Sequence, residues 1–231
     1  MDFKSFSKIS RLSREVVVTE KIDGSNAQIL IYSPKDKLRF PFADESNIPG
    51  QDFIDEYCLA IHPDNPHVDE EDKLYIFAGS RTRWLKPGKQ NDNHAFAHWV
   101  KEHANELVML GEGRHYGEWY GKGINRGYGL DHKRFALFNV AKWTKQTPNC
   151  IPPLAEGQNY CPDCCDVVPI LYQGNFDTAK IYEAQVMLDW EGSRAVPGFM
   201  NPEGIVVYHT ALGGYFKKTI KDDDKPKGMI E

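Results

Sequence analysis

What most constrains this chain is its apolar pattern, a series of short runs rich in β-branched and aromatic residues: EVVVTE, AQILIY, LYIFAG, RFALFNV, VVPILY, GIVVYH and GYFKKTI. Such runs suit strands, and they dominate the architecture. Helical spacing is confined to two places. Within residues 92–110, Phe96, Trp99, Val100, His103 and Leu107 recur on one face and leave His94, His98, Lys101, Glu102 and Asn105 for solvent. From Asp177 to Gly192, a capping Asp and a terminal Gly bracket Ile181, Ala184 and Leu188. Strands in runs with irregularly placed helices predict an α+β fold on antiparallel sheets. The segment from Pro41 to Asp72, with its prolines and acidic run, and the segment QTPNCIPPLAEGQNYCPDCCD are expected to be loops. Strand signals resume after each, so a single domain over residues 1–231 is expected, with no further C-terminal domain.

Composition narrows the function classes. With 28 Lys and Arg against 33 Asp and Glu, the formal charge is −5, which argues against indiscriminate coating of nucleic acid but leaves room for a local cationic groove. No stretch has the roughly 20 apolar residues of a membrane span, and the N-terminus lacks an apolar leader core. A cytoplasmic protein with reduced thiols is expected.

The strongest local signal is TEKIDGSNA, between two strand runs. A Lys followed by Asp-Gly at a sharp bend places an amine where backbone can approach a ligand, so Lys21 is a candidate nucleophile. A free Lys amine, with a pKa of about 10.4, stays protonated unless desolvation, a neighbouring cation or a metal intervenes. The plain alternative is a hairpin turn with an exposed Lys. Other pieces follow in order: GSRTRW with Arg81, HYGEWYGKGI with Glu118, RFALFNV with Phe138, NPEGIVV with Glu203, and GYFKKTI with Lys217 and Lys218.

Taken together, these resemble the ordered motifs of the covalent nucleotidyltransferase superfamily of polynucleotide ligases and capping enzymes, and most closely the ATP-dependent RNA ligases of the phage nick-sealing type. The resemblance covers residues from about 15 to 221. It implies a nucleotidyltransferase (ATP-grasp-like adenylyltransferase) domain with flanking helices, sealing 3′-OH and 5′-phosphate ends through lysyl-AMP and adenylylated RNA. Lys21 matches the nucleophile, and Glu20 the residue whose backbone meets the adenine edge. Asp23 and Gly24 complete that motif, although relatives sometimes carry His at the position of Asp23. Asn26 matches an Asn of the later steps, and Arg81 the contact to nucleotide and 5′-phosphate. Glu118 matches the ribose-binding acid, Phe138 the aromatic on adenine, and Glu203 the carboxylate for a catalytic Mg²⁺ or Mn²⁺, with Glu118 as a second metal ligand. Lys217 matches the α-phosphate contact. Two departures stand out: Asn139 replaces the usual Asp, and KKT replaces Lys-x-Lys, so Lys218 falls on the opposite strand face from Lys217.

Implied partners are ATP, RNA ends or nicked duplex, and an accessory RNA-binding partner in place of a missing domain. A monomer in the cytoplasm, of a host cell for a phage protein, is expected, with no membrane contact. Arg81, Arg83, Lys86 and Lys89, and Lys122, Arg126, Lys133 and Arg134, form candidate phosphate clusters, or solvated faces. The competing readings are a minimal DNA ligase, a capping-type guanylyltransferase, and an inactive nucleic-acid-binding module. Cys161 and Cys164 form a Cys-x2-Cys knuckle beside Cys165, with Cys150 upstream, which admits a structural Zn²⁺ site; reduced loop thiols are the simpler reading. His94 and His98 share a helical face but lack the HExxH carboxylate pattern, so they read as surface residues.

Overall fold

A computed structural model describes residues 13–36, 50–65, 67–146 and 151–221. In chain order they form β1 (Glu15–Lys21), β2 (Ser25–Tyr32), α1 (Gln51–Tyr57), β3 (Ala60–His62), β4 (Leu74–Ser80), β5 (Trp84–Leu85), α2 (Phe96–Glu102), α3 (Ala104–Leu107) and β6 (Gly113–Gly121). There follow β7 (Lys133–Leu137), β8 (Trp143–Thr144), β9 (Asn159–Tyr160), β10 (Cys165–Val167), β11 (Ile170–Asn175), α4 (Thr178–Glu191), β12 (Gly204–His209) and β13 (Gly214–Thr219). The fold is mixed α+β, with sheets dominant and few helices. The chain divides into two compact units, Met1–Asp23 with Val168–Glu231, and Gly24–Val167. Among the described residues no helix is long and apolar enough to cross a membrane.

In the first unit an antiparallel sheet runs β11-β1-β12-β13. Val16 and Val18 of β1, Ile205 and Val207 of β12, and Ala184 and Leu188 of α4 form its core, each such aliphatic side chain contributing about 1.5–3 kcal/mol by leaving water. The helix begins and ends where its sequence signals lie. Asp177 caps it by accepting the N–H of Ala179 at 2.8 Å and of Lys180 at 3.4 Å. It stops at Gly192, whose φ of 85° and approach to the Phe199 carbonyl leave no room for a Cβ.

The second unit is built on β2, the central strand of the order β10-β7-β6-β2-β4-β3, with β5 added on β4. Its apolar run is continuous because both faces are covered. Ala27, Ile29 and Ile31 join Phe96, Val100, Leu107, Trp119 and Phe135 on one face. Leu30 and Tyr32 join Phe77 on the other, with Phe53 of α1 packed against them; the Phe53 and Phe77 rings lie 5.1 Å apart. Most pairings are antiparallel as expected, but β10 on β7 and β8 on β9 are parallel.

Several expectations need correction. The helical stretch starts only at Phe96, because His94 and Ala95 are left-handed (φ 51° and 62°), so His94 and His98 share no helical face. The stretch breaks at His103, whose ring nitrogen and backbone N–H both engage the Trp99 carbonyl, at 2.9 and 3.0 Å; α3 follows. Part of the expected loop from Pro41 to Asp72 falls in residues 41–49, outside the described residues, but the remainder contains α1 and β3. The helix there is held by aromatic packing rather than by a long periodic pattern. VVPILY is not one strand: the ladder is interrupted at Pro169, which has no N–H to give, leaving β10 and β11 in different units. The cysteine-rich segment carries β9 and β10 rather than being all loop.

Among the described residues the cysteines are not arranged as a zinc site. Cys150 lies outside the described residues; Cys161 and Cys165 are buried apolar core residues, and Cys164 Sγ lies 3.9 Å from Cys165 Sγ. Among the described residues no group of three or more His, Cys, Asp or Glu gathers to hold a metal. Burial pushes the Cys161 thiol up to about 11, disfavouring the thiolate that binds metal.

His115 of β6 is a buried group that couples the second unit to pH in the acid range. It is 5% exposed, its Nε2 lies 2.8 Å from the Gly111 carbonyl, and burial pulls it from 6.5 to about 4. Because the unfolded chain then binds the proton more readily, stability is complete above pH 6.5 and is lost as pH falls toward about 4. The expected loss is roughly 3 kcal/mol. Urea denaturation of wild type and His115→Gln at a series of pH values tests this: the variant should show a shallower dependence across that window, and parallel curves would refute it.

Candidate active site

Strand alternation divides β1 into two functions. Val16, Val18 and Glu20 face the α4 core, and Lys21 ends the strand on the opposite face. There the Lys21 amine is paired with the Glu203 carboxylate, both side chains being mostly shielded, at 23% and 17% exposed. Register explains the meeting: Lys21 lies opposite Gly204, the residue after Glu203. Only glycine fits at 204, since a Cβ would sit 2.1 Å from the Lys218 carbonyl oxygen of β13. The same strand is tied back where the Ile220 N–H donates to the Glu203 carbonyl at 2.9 Å.

The last lysine pair is sorted by the same register. Thr19 lies opposite Val206, and Val206 opposite Lys217, so Lys217 shares the sheet face of Lys21. Lys218 lies opposite Ile205 on the α4 face, its Nζ 6.0 Å from the ring centroid of Tyr182.

Glu20 carries an anchoring role invisible to motif matching. Its carboxylate is 1% exposed and accepts from Ser193 Oγ at 2.6 Å and from the N–H groups of Arg194 and Ala195 at 2.8 and 2.9 Å. Burial raises its pKa, and these hydrogen bonds counteract that rise. Its own N–H donates to the Pro169 carbonyl at 2.9 Å. Ser193 gives no sequence signal for this, because it lies 173 residues away.

In the second unit Gly24 is held at both ends. Its N–H donates to Glu118 Oε1 at 3.1 Å, and its carbonyl accepts from Asn125 Nδ2 at 2.7 Å. A Cβ there would come within 2.5 Å of the Trp119 carbonyl oxygen, so glycine is required by close approach. Asn26 lies opposite Glu118 across β2 and β6 and on the same face. Phe138, just past β7, is 37% exposed rather than core, its N–H donating to the Tyr116 carbonyl at 3.0 Å. Asp23, the last residue of the first unit, is partly buried, and Arg81 is exposed in the turn between β4 and β5. Glu118 and Glu203 belong to different units.

The candidate phosphate clusters are partly engaged within the protein. Arg83 donates to the carbonyls of Gln90 and Asp92 at 3.3 and 3.5 Å. Lys86 pairs with Glu56 at 3.0 Å, and Arg134 makes a two-pronged contact with Asp166 at 2.7 and 2.9 Å.

The model of the RNA ligase family matches residues 14–221, nearly the whole of this sequence and every candidate site residue. The chain belongs to the RNA ligase family. No curated protein matches it in sequence. Solved structures that resemble it include Naegleria gruberi RNA ligase as an apo mutant (16% identity, TM-score 0.48) and as a mutant with AMP and Mn (17%, 0.47), each match covering 90% of this chain and 50% of the other. The same enzyme with PPi matches at 17% identity and TM-score 0.46, with the same coverage. This member of the RNA ligase family thus spans about half the length of those chains.

Separating anchoring from chemistry gives a stability test. Glu20→Ala leaves Ser193 and two backbone N–H groups without their acceptor and should cost about 3 kcal/mol. Lys217→Ala, on the exposed edge strand, should stay within about 0.5 kcal/mol of wild type. Urea midpoints compare the two, and equal midpoints would refute the anchoring role.

Proposed function

We propose that this chain is the nucleotidyltransferase part of an ATP-dependent RNA ligase, its two units together serving as one such module. The observation that carries the reading is the pairing of Lys21 with Glu203 within the matched family region. In the first step the neutral Lys21 amine attacks the α-phosphorus of ATP. An N–P bond forms, the bond to pyrophosphate breaks, and the amine proton is lost. Next a 5′-phosphate oxygen of RNA displaces the lysine, which takes a proton back. Finally a 3′-OH attacks that 5′-phosphate, its proton passing to solvent as the O–P bond forms, and AMP leaves.

The remaining residues bind and align, as nucleotidyl transfer demands little else of a protein. Lys217 supplies positive charge at the α-phosphate from the sheet face of Lys21. Glu118 holds the ribose, Phe138 stacks on adenine, Arg81 meets phosphate, and Asn26 serves the later steps. An ammonium cannot attack, so the amine must be neutral and released from Glu203 before the first step. The donor set suits a hard cation: Mg²⁺ or Mn²⁺ binds through one or two carboxylates, waters and substrate phosphates rather than a closed protein cage, and Glu203, beside Lys21, is the carboxylate that would hold it. Bound there, such a cation would neutralise phosphate charge and draw Glu203 away from the amine. RNA ends or nicked duplex are the proposed substrates.

Intact-mass measurement after incubation with ATP and Mg²⁺ tests the reading. The wild type should gain one AMP, Lys21→Ala none, and Glu203→Gln should label at least about a hundredfold more slowly. An unlabelled wild type, or undiminished labelling of Lys21→Ala, would overturn the mechanism. Labelled protein that joins only DNA nicks, on a panel of RNA and DNA ends, would replace RNA by DNA as substrate.

A further inference from the structure

We infer that Asn125 is a positioning residue for nucleotidyl transfer, acting by clamping the carbonyl of Gly24; the inference rests on the reading of Lys21 as nucleophile. Gly24 lies three residues after Lys21 in the chain, so whatever fixes its two peptide groups fixes the downstream end of the turn that bears the amine. One of those groups is held by Glu118 through the Gly24 N–H at 3.1 Å. The other is held by Asn125 through the Gly24 carbonyl at 2.7 Å. A carbonyl only accepts, so the amide nitrogen of Asn125 must face it.

The loop that delivers this side chain is stiff. Residues 121–129 carry a dense series of positive φ values, at Gly121, Gly123, Asn125, Gly127, Tyr128 and Gly129. Asn tolerates such a conformation, whereas a bulky Tyr at φ 54° is strained. The loop bonds to itself, Ile124 N–H to Gly121 carbonyl at 3.0 Å and Gly127 N–H to Ile124 carbonyl at 2.8 Å. Ile124 and Tyr128, 1% and 2% exposed, pin it on either side of Asn125, and the Tyr128 ring packs edge-on to Tyr120 at 5.4 Å. Buried anchors thus flank an exposed Asn whose side chain reaches back 101 residues to the motif. Strain held by packing at such a place fits a role in alignment rather than in core stability.

Asn125→Gly keeps the left-handed backbone and deletes the clamp; Asn125→Asp keeps the shape but turns a carboxylate toward an oxygen. The rate of AMP transfer to the protein, measured against ATP concentration in single turnovers, should fall at saturating ATP by about tenfold or more in Asn125→Gly and further in Asn125→Asp. The half-saturating ATP concentration should change less than about threefold, and thermal midpoints should stay within roughly 3 °C of wild type. Variants that match the wild-type rate, or that slow only in proportion to lost folding, would overturn the inference while the wild type still labels. A wild type that takes up no AMP would overturn this inference together with the reading it rests on.

Discussion

A buried carboxylate organises the first unit. Placing Glu20 among Val16, Val18 and Leu188 would cost several kcal/mol if its charge went unmet, and the Ser193 hydroxyl with the next two N–H groups meets it. Those donors follow α4 directly, so the contact ties the C-terminal end of the helix to the strand that ends in Lys21. Because side chains alternate along a strand, inserting Glu20 obliges Lys21 to emerge on the other face. A one-residue slip would bury the amine and expose the carboxylate. Register, fixed on one side by Glu20 and on the other by the glycine at 204, therefore decides the face on which Lys21 emerges.

The Lys21–Glu203 pair lies on a different energetic footing. Both side chains are mostly shielded yet neither is fully buried, and an ion pair in such a setting, its attraction offset by the cost of desolvation, adds modestly to stability. Its consequence is positional: the carboxylate holds the amine in place, and in the proposed mechanism that pairing must be relieved before transfer. A pair of small energetic weight suits this, since a strong one would oppose its own release.

Much of this was legible in the sequence, for identifiable reasons. Strands with β-branched runs and the helix between Asp177 and Gly192 are dictated locally, by alternation, a capping side chain and a glycine stop. The spacing of Lys21, Glu118, Phe138, Glu203 and Lys217 also survives as linear order. What failed to show depends on partners distant in sequence. The helix at Gln51–Tyr57 exists because Phe53 meets Phe77 and Trp84, and the break at His103, where φ is −102° and ψ 15°, interrupts an apolar spacing that runs straight through it. The Asn in the glycine-rich run GKGINRGYG was a readable sign of left-handed backbone, but nothing in that run says that its amide finds Gly24. The knuckle of cysteines looked like a metal motif because spacing alone does not reveal that Cys161 and Cys165 are packed into a core.

The distribution of cations decides how a chain with a formal charge of −5 can meet phosphate. Each phosphate contact draws on counterion release only if its cation is available, and internal partners differ in how easily they yield one. Lys86 and Glu56 are both substantially exposed, at 39% and 52%, and an exposed pair is worth about 1 kcal/mol or less, so a phosphate can compete for Lys86. Arg134 is held by Asp166 at two points, in a half-buried setting, and releasing it would leave a shielded carboxylate unpaired at a cost of several kcal/mol. Arg134 therefore belongs to the framework of β7 and β10 rather than to a nucleic-acid surface. Arg81 and Lys89, exposed and outside the ion pairs of the candidate clusters, would carry no such cost in meeting the phosphate of the proposed substrate.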